Sequence, residues 1–254
     1  MKIAVAGATG RVGRHTAEVL AERGHEVVPI ARSAGVDVIT GDGLAAALDG
    51  VTGIVDAATG PSAEQQPATE FFTTAAGNLQ RAGAQAGVQR LVVVSIIGTD
   101  RFTGGYGAAK MAHEHVALSG PVPARVLRAA QFHEFVPQLV EWGTQGEVSY
   151  VPQMRIQPVA AKTVGEALAD LVTSPDWAPD PAGGPFAEVA GPREENLVAL
   201  ASLLVARRGR QLNIEGVSDP ADPDGAVYTS GSLLPGPRAI IGGPTFEEWL
   251  SAAS

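Results

Sequence analysis

The feature that most constrains this chain is a glycine-rich segment close to its N-terminus. Residues 7–13 read GATGRVG; they follow the apolar run Lys2–Ala6 and lead into a helical pattern over Val12–Arg23. Strand, glycine turn and helix in this order are the setting in which backbone N–H groups bind the pyrophosphate of a dinucleotide at the helix N-terminus. We expect Gly7 to make the tight turn, Gly10 to leave room for the ligand and Gly13 to let the helix pack closely on its strand. The alternative is an ordinary glycine-rich turn.

Strand and helix signals alternate along the first half of the chain. Alternating elements predict a parallel sheet with right-handed crossovers, and nearly continuous apolar strands indicate a sheet covered on both faces. We therefore predict an α/β fold: a doubly wound parallel sheet of the Rossmann type, with strand order 3-2-1-4-5-6 and a small C-terminal substrate lobe. The predicted strands are Lys2–Ala6, Glu26–Ala31, Val36–Thr40, Gly53–Ala58, Gln89–Ser95 and Ala124–Arg128, and the predicted helices are Val12–Arg23, Leu44–Leu48, Pro67–Ala86 and Tyr106–Leu118.

Beyond Phe132 the pattern becomes irregular. Helices are predicted over Val164–Val172 and Asn196–Arg207 and a strand over Phe186–Val189, whereas Pro and Gly crowd 175–185 and 216–244, which predicts loops. Thr245–Leu250 predicts a short helix with a threonine N-cap and a glutamate at N3. We expect a single domain over 1–254, with a nucleotide-binding core over 1–130 and a segment over 131–254 that completes the core and forms the substrate lobe.

Composition narrows the classes of function. The chain of 254 residues has no cysteine, a net charge of −9 and 45% hydrophobic residues. Disulfides, thiolate metal sites and cysteine nucleophiles are therefore excluded. The acidic balance argues against nucleic acid as a partner, and no apolar run approaches the length of a membrane span. We expect no signal peptide, no membrane association and a cytoplasmic location; an oligomer stays open, with no sequence feature in its favour.

A tyrosine and a lysine stand four residues apart where a helix is predicted to begin. The chain has few residues of either type, so the pair Tyr106 and Lys110 in the segment YGAAK is informative. The spacing places both side chains on one face of the helix. Ser95 ends the predicted fifth strand, and ligands in parallel sheets bind at the carboxyl ends of the strands. Ser95 is therefore expected at the rim where a ligand binds.

With these motifs the chain resembles the short-chain dehydrogenase/reductase superfamily, in its atypical NmrA-like, NAD(P)H-binding branch. The resemblance extends over essentially the whole chain. It rests on GATGRVG, Gly41-Asp42, Val93-Val94-Ser95, YGAAK with Glu114, LRAAQF at 127–132 and TFEEWL at 245–250. It implies that Ser95, Tyr106 and Lys110 are the catalytic triad of the superfamily. Members of this branch often keep the fold and lose the chemistry, so the alternative is a remnant that only binds the cofactor.

The chemistry of such a triad follows from its residue types. A carbonyl that takes a hydride from the cofactor needs a proton at its oxygen, and a tyrosine with an ordinary pKa of about 10 is a sluggish acid–base at neutral pH. The ammonium of Lys110 is expected to lower the pKa of Tyr106 and to hydrogen-bond the nicotinamide ribose. Ser95 would polarise the substrate oxygen.

The residues after the second strand predict which cofactor is bound. An NAD site usually has an acidic residue there for the ribose hydroxyls, but this chain has Arg32 and Ser33. A guanidinium binds phosphate bidentately, so we expect NADP(H) to be preferred over NAD(H), with help from Arg11; the alternative is two solvated surface arginines. Asp42 matches the family position that reads the adenine, or is only a turn former. The predicted cofactor-binding residues are Gly7, Thr9, Gly10, Arg11, Val12, Gly13, Arg32, Ser33, Asp42, Ala57, Ala58, Thr59 and Lys110.

The remaining candidates concern the substrate. The five histidines make no metal set, since His113 and His115 face different ways on a helix, and we predict no metal site. Phe132 and His133 are the candidate substrate contacts, although a structural hydrogen bond is the more ordinary role for the histidine. We expect an apolar cavity beside Tyr106, walled by Phe132, with 132–142 and the loops between 216 and 243 as its cover.

Two functions of different class follow from these motifs. The first is an NADP-dependent oxidoreductase that reduces a carbonyl, enone or quinone-type small molecule with the Ser-Tyr-Lys set. The second is a non-catalytic sensor or regulatory protein that binds NADP(H) and signals through a protein partner. The pair of Tyr106 and Lys110 favours the enzyme, whereas the lack of a substrate signature leaves the sensor open.

Overall fold

Seven strands form the central sheet of the computed structural model, which describes residues 1–252. Numbered in chain order, the strands are β1 (Lys2–Ala6), β2 (Glu26–Ile30), β3 (Gly53–Asp56), β4 (Arg90–Ile96), β5 (Ala124–Ala129), β6 (Thr144–Gln145), β7 (Val148–Pro152), β8 (Arg155–Ile156), β9 (Ala187–Ala190), β10 (Glu195–Asn196), β11 (Asn213–Val217) and β12 (Ile240–Ile241). The helices are α1 (Gly13–Glu22), α2 (Leu44–Ala47), α3 (Gln65–Gln85), α4 (Gly105–Ser119), α5 (Phe135–Gly143), α6 (Ala161–Thr173), α7 (Leu197–Arg207), α8 (Gly225–Thr229) and α9 (Phe246–Ala252).

The central sheet is parallel and doubly wound, as predicted. Its order from edge to edge is β2-β1-β3-β4-β5-β9-β12, and each neighbouring pair runs in the same direction. Alternate residues of β1 face two helical layers: Ile3 belongs to the core cluster that contains Leu20 of α1, whereas Ala4 belongs to the cluster that contains Leu79 of α3. Burial on both faces explains why the strands are almost continuously apolar.

The predicted third strand over Val36–Thr40 is wrong. The chain there forms turns, so that β2 is the edge of the sheet. Two local interactions favour the turns over an extended strand. The carboxylate of Asp37 accepts the backbone N–H of Ile39 at 2.7 Å, and Gly35 and Gly41 adopt left-handed backbone angles. The remaining strands keep the predicted spatial order.

The segment after Phe132 contains more regular structure than its sequence pattern predicts. Helix α5 and the short antiparallel pair β6–β7 were not expected, and α8, β12 and the end of β11 lie within 216–244, where only loops were predicted. Strand β11 pairs with β7, and the apolar faces of α5, α7 and α9 bury a third cluster that contains Val140, Leu200 and Phe246. Helix α6 and strands β9 and β12 instead extend the central layers.

The capping box at the last helix is confirmed. Helix α9 begins at Phe246, and the hydroxyl of Thr245 accepts the backbone N–H of Glu248 at 3.2 Å. In return the carboxylate of Glu248 accepts the backbone N–H of Thr245 at 2.8 Å. Two N–H groups that the helix leaves free are thus satisfied by side chains, which fixes where α9 starts.

The glycine turn depends on one close approach. Gly7 has a φ of +74°, and a Cβ added at Gly13 would collide with the carbonyl oxygen of Gly7. Only a residue without a side chain lets α1 begin this close to the end of β1. The packing role predicted for Gly13 corresponds to this contact.

Substitution of this glycine should destabilise the whole domain. We expect Gly13→Ala to cost about 1–3 kcal/mol, because neither backbone can retreat, and to lower the melting temperature by several degrees. Gly77→Ala is the matched control, since Gly77 lies inside α3 and an added Cβ would meet nothing within 4 Å. That change should leave stability equal or raise it by about 0.5–1 kcal/mol. Equal melting temperatures of the two variants in a calorimetric scan would contradict this account.

Candidate functional site

Two adjoining cavities lie at the carboxyl ends of β1, β3 and β4. The first, of about 600 Å³, is lined by Tyr106 and is called the Tyr106 cavity; the second, of about 590 Å³, is lined by Arg32 and is called the Arg32 cavity. Gly10 and residues 57–61 line both, so the two cavities form one groove across the strand ends. This is the edge at which parallel sheets bind ligands.

The glycine turn stands at the junction of the two cavities. Gly7, Thr9 and Gly10 line the Arg32 cavity, whereas Arg11 and Val12 line the Tyr106 cavity with Gly10. Gly13 is buried beneath the turn as the first residue of α1. The N-cap of α1 is Val12, whose side chain cannot accept a hydrogen bond. The helix therefore begins without a side-chain cap, as expected where an anion takes that place.

The Arg32 cavity contains only part of the set predicted for the adenosine half of a cofactor. Arg32 lines it from a 3-10 turn over Arg32–Ala34, but Ser33 is exposed and does not line it. Asp42 also lies outside the lining, and its carboxylate accepts the Thr40 hydroxyl at 2.8 Å. Asp37, which the sequence pattern did not single out, lies in the wall instead.

Arg11 and Arg32 lie in different cavities of the groove. The Arg11 guanidinium donates to the side-chain oxygen of Gln138 in α5 at 3.2 Å, and Arg11 lines the Tyr106 cavity. The two arginines therefore do not converge on one phosphate position in this structure. Ala57, Ala58 and Thr59, which follow β3, line both cavities.

Ser95, Tyr106 and Lys110 all line the Tyr106 cavity. Ser95 lies near the end of β4, and Tyr106 and Lys110 lie one turn apart on α4. The Ser95 side chain is almost fully buried, and its hydroxyl has no partner among the described residues. The Tyr106 hydroxyl lies 3.3 Å from the hydroxyl of Thr59. A buried hydroxyl without a partner is costly, and this one belongs to a residue in the cavity wall.

The ammonium of Lys110 is held by buried groups of the protein. It donates to the carbonyl oxygen of Val94 at 2.8 Å and lies 2.7 Å from Nδ1 of His113. The Phe72 ring lies beneath the ammonium, 4.2 Å from its centre. Burial lowers the pKa of Lys110 to about 8, against the attraction of Asp56 and Glu114, which acts to raise it.

The pKa of Tyr106 moves in the opposite direction to the one we predicted. Burial raises it, and the hydrogen bond with Thr59 only partly opposes this effect. The expected lowering by Lys110 does not occur, because the ammonium turns toward Val94 and His113. At neutral pH Tyr106 is therefore a protonated phenol, able to donate a proton but not to accept one.

The outer wall of the Tyr106 cavity comes from the start of the C-terminal half. Phe132, Phe135, Gln138 and Trp142 line it, and the rings of Phe135 and Trp142 meet edge to face at 6.0 Å between centroids. The predicted cavity beside Tyr106 with Phe132 in its wall is thus confirmed. Residues 216–243 do not line it, so that part of the expected cover is wrong; β11 pairs with β7 in the small sheet and β12 lies at the far edge of the central sheet.

His133 is turned away from the cavity. It is buried, donates from Nε2 to the carbonyl oxygen of Pro244 at 3.0 Å and packs against Phe246 and Trp249. Burial lowers its pKa, which the hydrogen bond to Pro244 opposes. The structure therefore separates Phe132, in the cavity wall, from His133, under α9.

Two residues that the sequence pattern left out stand directly behind the site. Asp56 ends β3 and His113 lies one turn after Lys110, and the two are 2.9 Å apart. The position of Asp56 at a strand end was the available signal, because charged residues are rare in a strand buried on both faces. The described part of the chain contains no group of three or more His, Asp or Glu residues suited to a metal ion. Within residues 1–252, no helix is both long and apolar enough to cross a membrane.

Comparison with known proteins agrees with this geometry. Residues 7–130 match the model of an NAD(P)H-binding family. The matched segment runs from the glycine turn to the end of β5. No curated protein sequence matches it.

Solved structures of the same fold cover nearly the whole chain. MoeE5 in complex with UDP-glucuronic acid and NAD is 18% identical, with a TM-score of 0.71 over 99% of this chain and 93% of that one. Thermus thermophilus UDP-glucose 4-epimerase with NAD is 18% identical, with a TM-score of 0.67 over 100% and 93%. Bacillus anthracis dTDP-4-dehydrorhamnose reductase with NADP is 16% identical, with a TM-score of 0.67 over 98% and 96%. At these identities the likeness concerns the fold.

A carboxylate from the C-terminal half fixes the segment that leads into α4. Asp224 accepts the backbone N–H groups of Thr103 and Gly104 and the hydroxyl of Thr103, at 2.7–3.0 Å. Burial acts to raise the pKa of Asp224, but these hydrogen bonds outweigh it and the pKa is lowered. Tyr106, two residues after Gly104, depends on this anchor for its position.

Loss of this anchor should be measurable as a pH-dependent loss of stability. Asp224→Ala should lower the melting temperature by a few degrees at pH 7, where the carboxylate is ionised. Because the pKa is lowered in the folded state, the contribution is complete above the unfolded value of about 3.9 and disappears as the pH falls through the folded value. Asp49→Ala is the control, since Asp49 is exposed in the turn between α2 and β3. A difference from the parent protein that is the same at pH 7 and pH 3 would contradict the proposed anchor.

Proposed function

We propose that this protein is an NADP-dependent reductase of a carbonyl, enone or quinone-type small molecule. The observation that carries the proposal is the convergence of Ser95, Tyr106 and Lys110 on one cavity that adjoins the glycine turn. The family match to an NAD(P)H-binding model over residues 7–130 and the oxidoreductase-type fold support it.

The residues along the groove fit a dinucleotide. A Cβ at Gly7 would come within 2.6 Å of the carbonyl oxygen of Ala57, so only a glycine lets the turn lie this close to the backbone that follows β3. In this proposal residues 7–13 hold the pyrophosphate, Arg32 the 2′-phosphate, and Ala57, Ala58 and Thr59 the centre of the cofactor. The nicotinamide, when bound, supplies the hydride. Lys110 then faces its ribose.

Each member of the triad has a definite task in this reaction. Tyr106 is protonated at neutral pH and gives its proton to the substrate oxygen as the hydride arrives at the carbon. The task of Lys110, whose ammonium is directed to Val94 and His113, is to bind the cofactor ribose and not to lower the pKa of the tyrosine. The free hydroxyl of Ser95 donates a hydrogen bond to the same oxygen, where negative charge develops.

The lining of the Tyr106 cavity favours an apolar substrate. Phe132, Phe135 and Trp142 supply aromatic surface, and the only cations in the lining are Arg11 and Lys110. Lys110 is already bound to Val94 and His113, so one arginine would be left for the diphosphate of a nucleotide sugar such as the one in the MoeE5 structure. We therefore favour a planar, uncharged acceptor, with 1–130 as the cofactor core and the segment from 131 as substrate lobe.

A non-catalytic NADP(H) sensor is the second candidate. It is favoured by the raised pKa of Tyr106, caused by burial and opposed by the Thr59 hydrogen bond, and by the inward direction of Lys110. A sensor would bind the cofactor equally well after loss of the Tyr106 hydroxyl and would have no turnover to lose.

Removal of the proposed proton donor tests the chemistry. We expect Tyr106→Phe to leave NADPH affinity nearly unchanged and to reduce turnover of a carbonyl substrate about 10²–10⁴-fold. Tyr228→Phe is the matched control, because Tyr228 packs against Phe102 and does not line the cavity. Stopped-flow measurement of NADPH oxidation, with calorimetry for binding, separates the two effects. Full activity of Tyr106→Phe would contradict the proposed role of the tyrosine.

The cofactor preference is tested at Arg32. NADPH should bind more tightly than NADH, and Arg32→Ala should reduce NADPH affinity about ten- to a hundredfold with little effect on NADH, because a charge-assisted phosphate contact is lost. Arg14→Ala is the control, since Arg14 is exposed on α1 and lines neither cavity. Equal affinities of the parent protein for the two cofactors in calorimetry would refute the preference.

A further inference from the structure

Behind the Tyr106 cavity lies a buried row of three titratable side chains. The ammonium of Lys110 lies 2.7 Å from Nδ1 of His113, and Nε2 of His113 lies 2.9 Å from Oδ2 of Asp56. Lys110 is 4% exposed, and His113 and Asp56 are each 1% exposed. The other oxygen of Asp56 accepts the backbone N–H of Ala58 at 3.0 Å. Ionisable groups are seldom buried this completely unless each one has a partner.

Hydrogen-bond chemistry assigns one direction to this row. The carboxylate of Asp56 can only accept, so Nε2 of His113 carries the proton and donates it. Nδ1 then has a free lone pair and accepts an N–H from Lys110. The ring of His113 is stacked on Phe72, with centroids 4.9 Å apart and planes at 19°, which prevents it from turning.

The row also fixes the direction of the lysine. An ammonium has three N–H donors. One is taken by Nδ1 of His113 and another by the carbonyl oxygen of Val94 at 2.8 Å. Lys110 lines the Tyr106 cavity, so the third donor is the one left for a group inside it.

The charges around Lys110 balance only if Asp56 is counted. The titratable groups that face it are Tyr106, His113 and Glu114 from α4 and Asp56 from β3. Glu114 is held through both oxygens by Arg128 of β5, at 3.0 and 2.9 Å. Arg128 also binds Asp100 at 2.7 Å, but Asp100 is exposed to solvent, so the guanidinium chiefly balances the buried Glu114. The partner of Asp56 is a histidine whose pKa is lowered by burial and by the charge of Lys110. Because that histidine is neutral, the charge of Asp56 is left to balance Lys110.

We propose that Asp56 and His113 are positioning residues that keep Lys110 charged and direct its remaining N–H into the Tyr106 cavity. The catalytic consequence rests on the proposed reductase function. Burial lowers the pKa of Lys110 to about 8, so the ammonium is present below that pH and lost above it. The activity should therefore fall as the pH rises through about 8, and loss of Asp56 should move this limit to lower pH.

The lysine can be titrated directly, without any reaction. The chain has three lysines, Lys2, Lys110 and Lys162, of which Lys162 is exposed and Lys2 pairs with Glu26 at the surface. The double variant Lys2→Arg/Lys162→Arg leaves Lys110 as the one lysine of the chain. Its side-chain carbon, labelled with ¹³C at Cε, gives a single resonance whose pH dependence reports the charge on Nζ.

In that background we expect Asp56→Asn to lower the midpoint of the Lys110 titration by about one pH unit or more, because the balancing charge is gone. His113→Leu should lower it as well, and His113→Gln should restore part of the effect, since an amide can accept from lysine and donate to Asp56. Asp170→Asn, at a surface pair with Arg23, should leave it unchanged. Unchanged midpoints in Asp56→Asn and His113→Leu, with both variants folded by circular dichroism, would overturn the proposal.

Two further measurements distinguish this proposal from a role of Glu114 and from failure of the proposed reductase function. If Glu114→Gln lowers the midpoint and Asp56→Asn does not, the charge of Lys110 is set by Glu114 and the proposal is wrong. If no carbonyl, enone or quinone is reduced by the parent protein, the reductase function fails, but the titration of Lys110 still decides the role of Asp56 and His113. Where turnover is found, the alkaline limit of kcat/KM should move to lower pH in Asp56→Asn and recover in His113→Gln relative to His113→Leu.

Discussion

The approach of α1 to the carbonyl of Gly7 is the constraint on which the rest of the site depends. No side chain fits at Gly13, so the helix begins immediately beside the end of β1. This contact places the turn over residues 57–61, and a Cβ at Gly7 would already touch the Ala57 carbonyl. The floor of both cavities is thus formed by backbone from two neighbouring strands. Backbone can approach a ligand closely where side chains cannot.

The ends of three neighbouring strands each supply a part of the site. The turn after β1, Asp56 at β3 and Ser95 at β4 follow the spatial order of the strands, and α4 lies across them. The parallel register makes this possible, because every carboxyl end reaches the same edge. A groove built in this way is continuous, whereas the chain that lines it comes from distant parts of the sequence.

The sequence pattern correctly predicted the elements that are long and periodic or that are followed by a glycine. β1, β4 and α4 lie within two residues of their predicted bounds, since buried strands and helix faces leave a clear apolar period. It failed over Val36–Thr40, where an apolar alternation resembles a strand but the Asp37 carboxylate and left-handed glycines produce turns. It also missed α5, which begins at Phe135 and has Pro137 in its first turn.

The sequence predicted which residues of the Ser-Tyr-Lys set line the Tyr106 cavity, but it did not predict where their side chains point. The spacing of Tyr106 and Lys110 predicts that both occupy one face of a helix, and both line the same cavity. It does not predict that Lys110 points to Val94 and His113, because those contacts depend on how α4 rests on β4 and β3. The direction of the pKa of Tyr106 was wrong for the same reason: burial of the phenol outweighs a cation that faces away from it.

Helix α4 is fixed by contacts at three successive positions along its length. These contacts hold its first turn, which carries Tyr106, in one place. Asp224 fixes the residues before the helix, Lys110 ties its middle to β4, and Glu114 binds Arg128 of β5 one turn later. Gly107 lets Phe102 lie against the helix, since a Cβ there would collide with that ring. Each tie joins α4 to a different element, so rotation of the helix would break all of them together. A side chain on such a helix can be placed with the precision that proton transfer requires, because only its own rotamer is left to move.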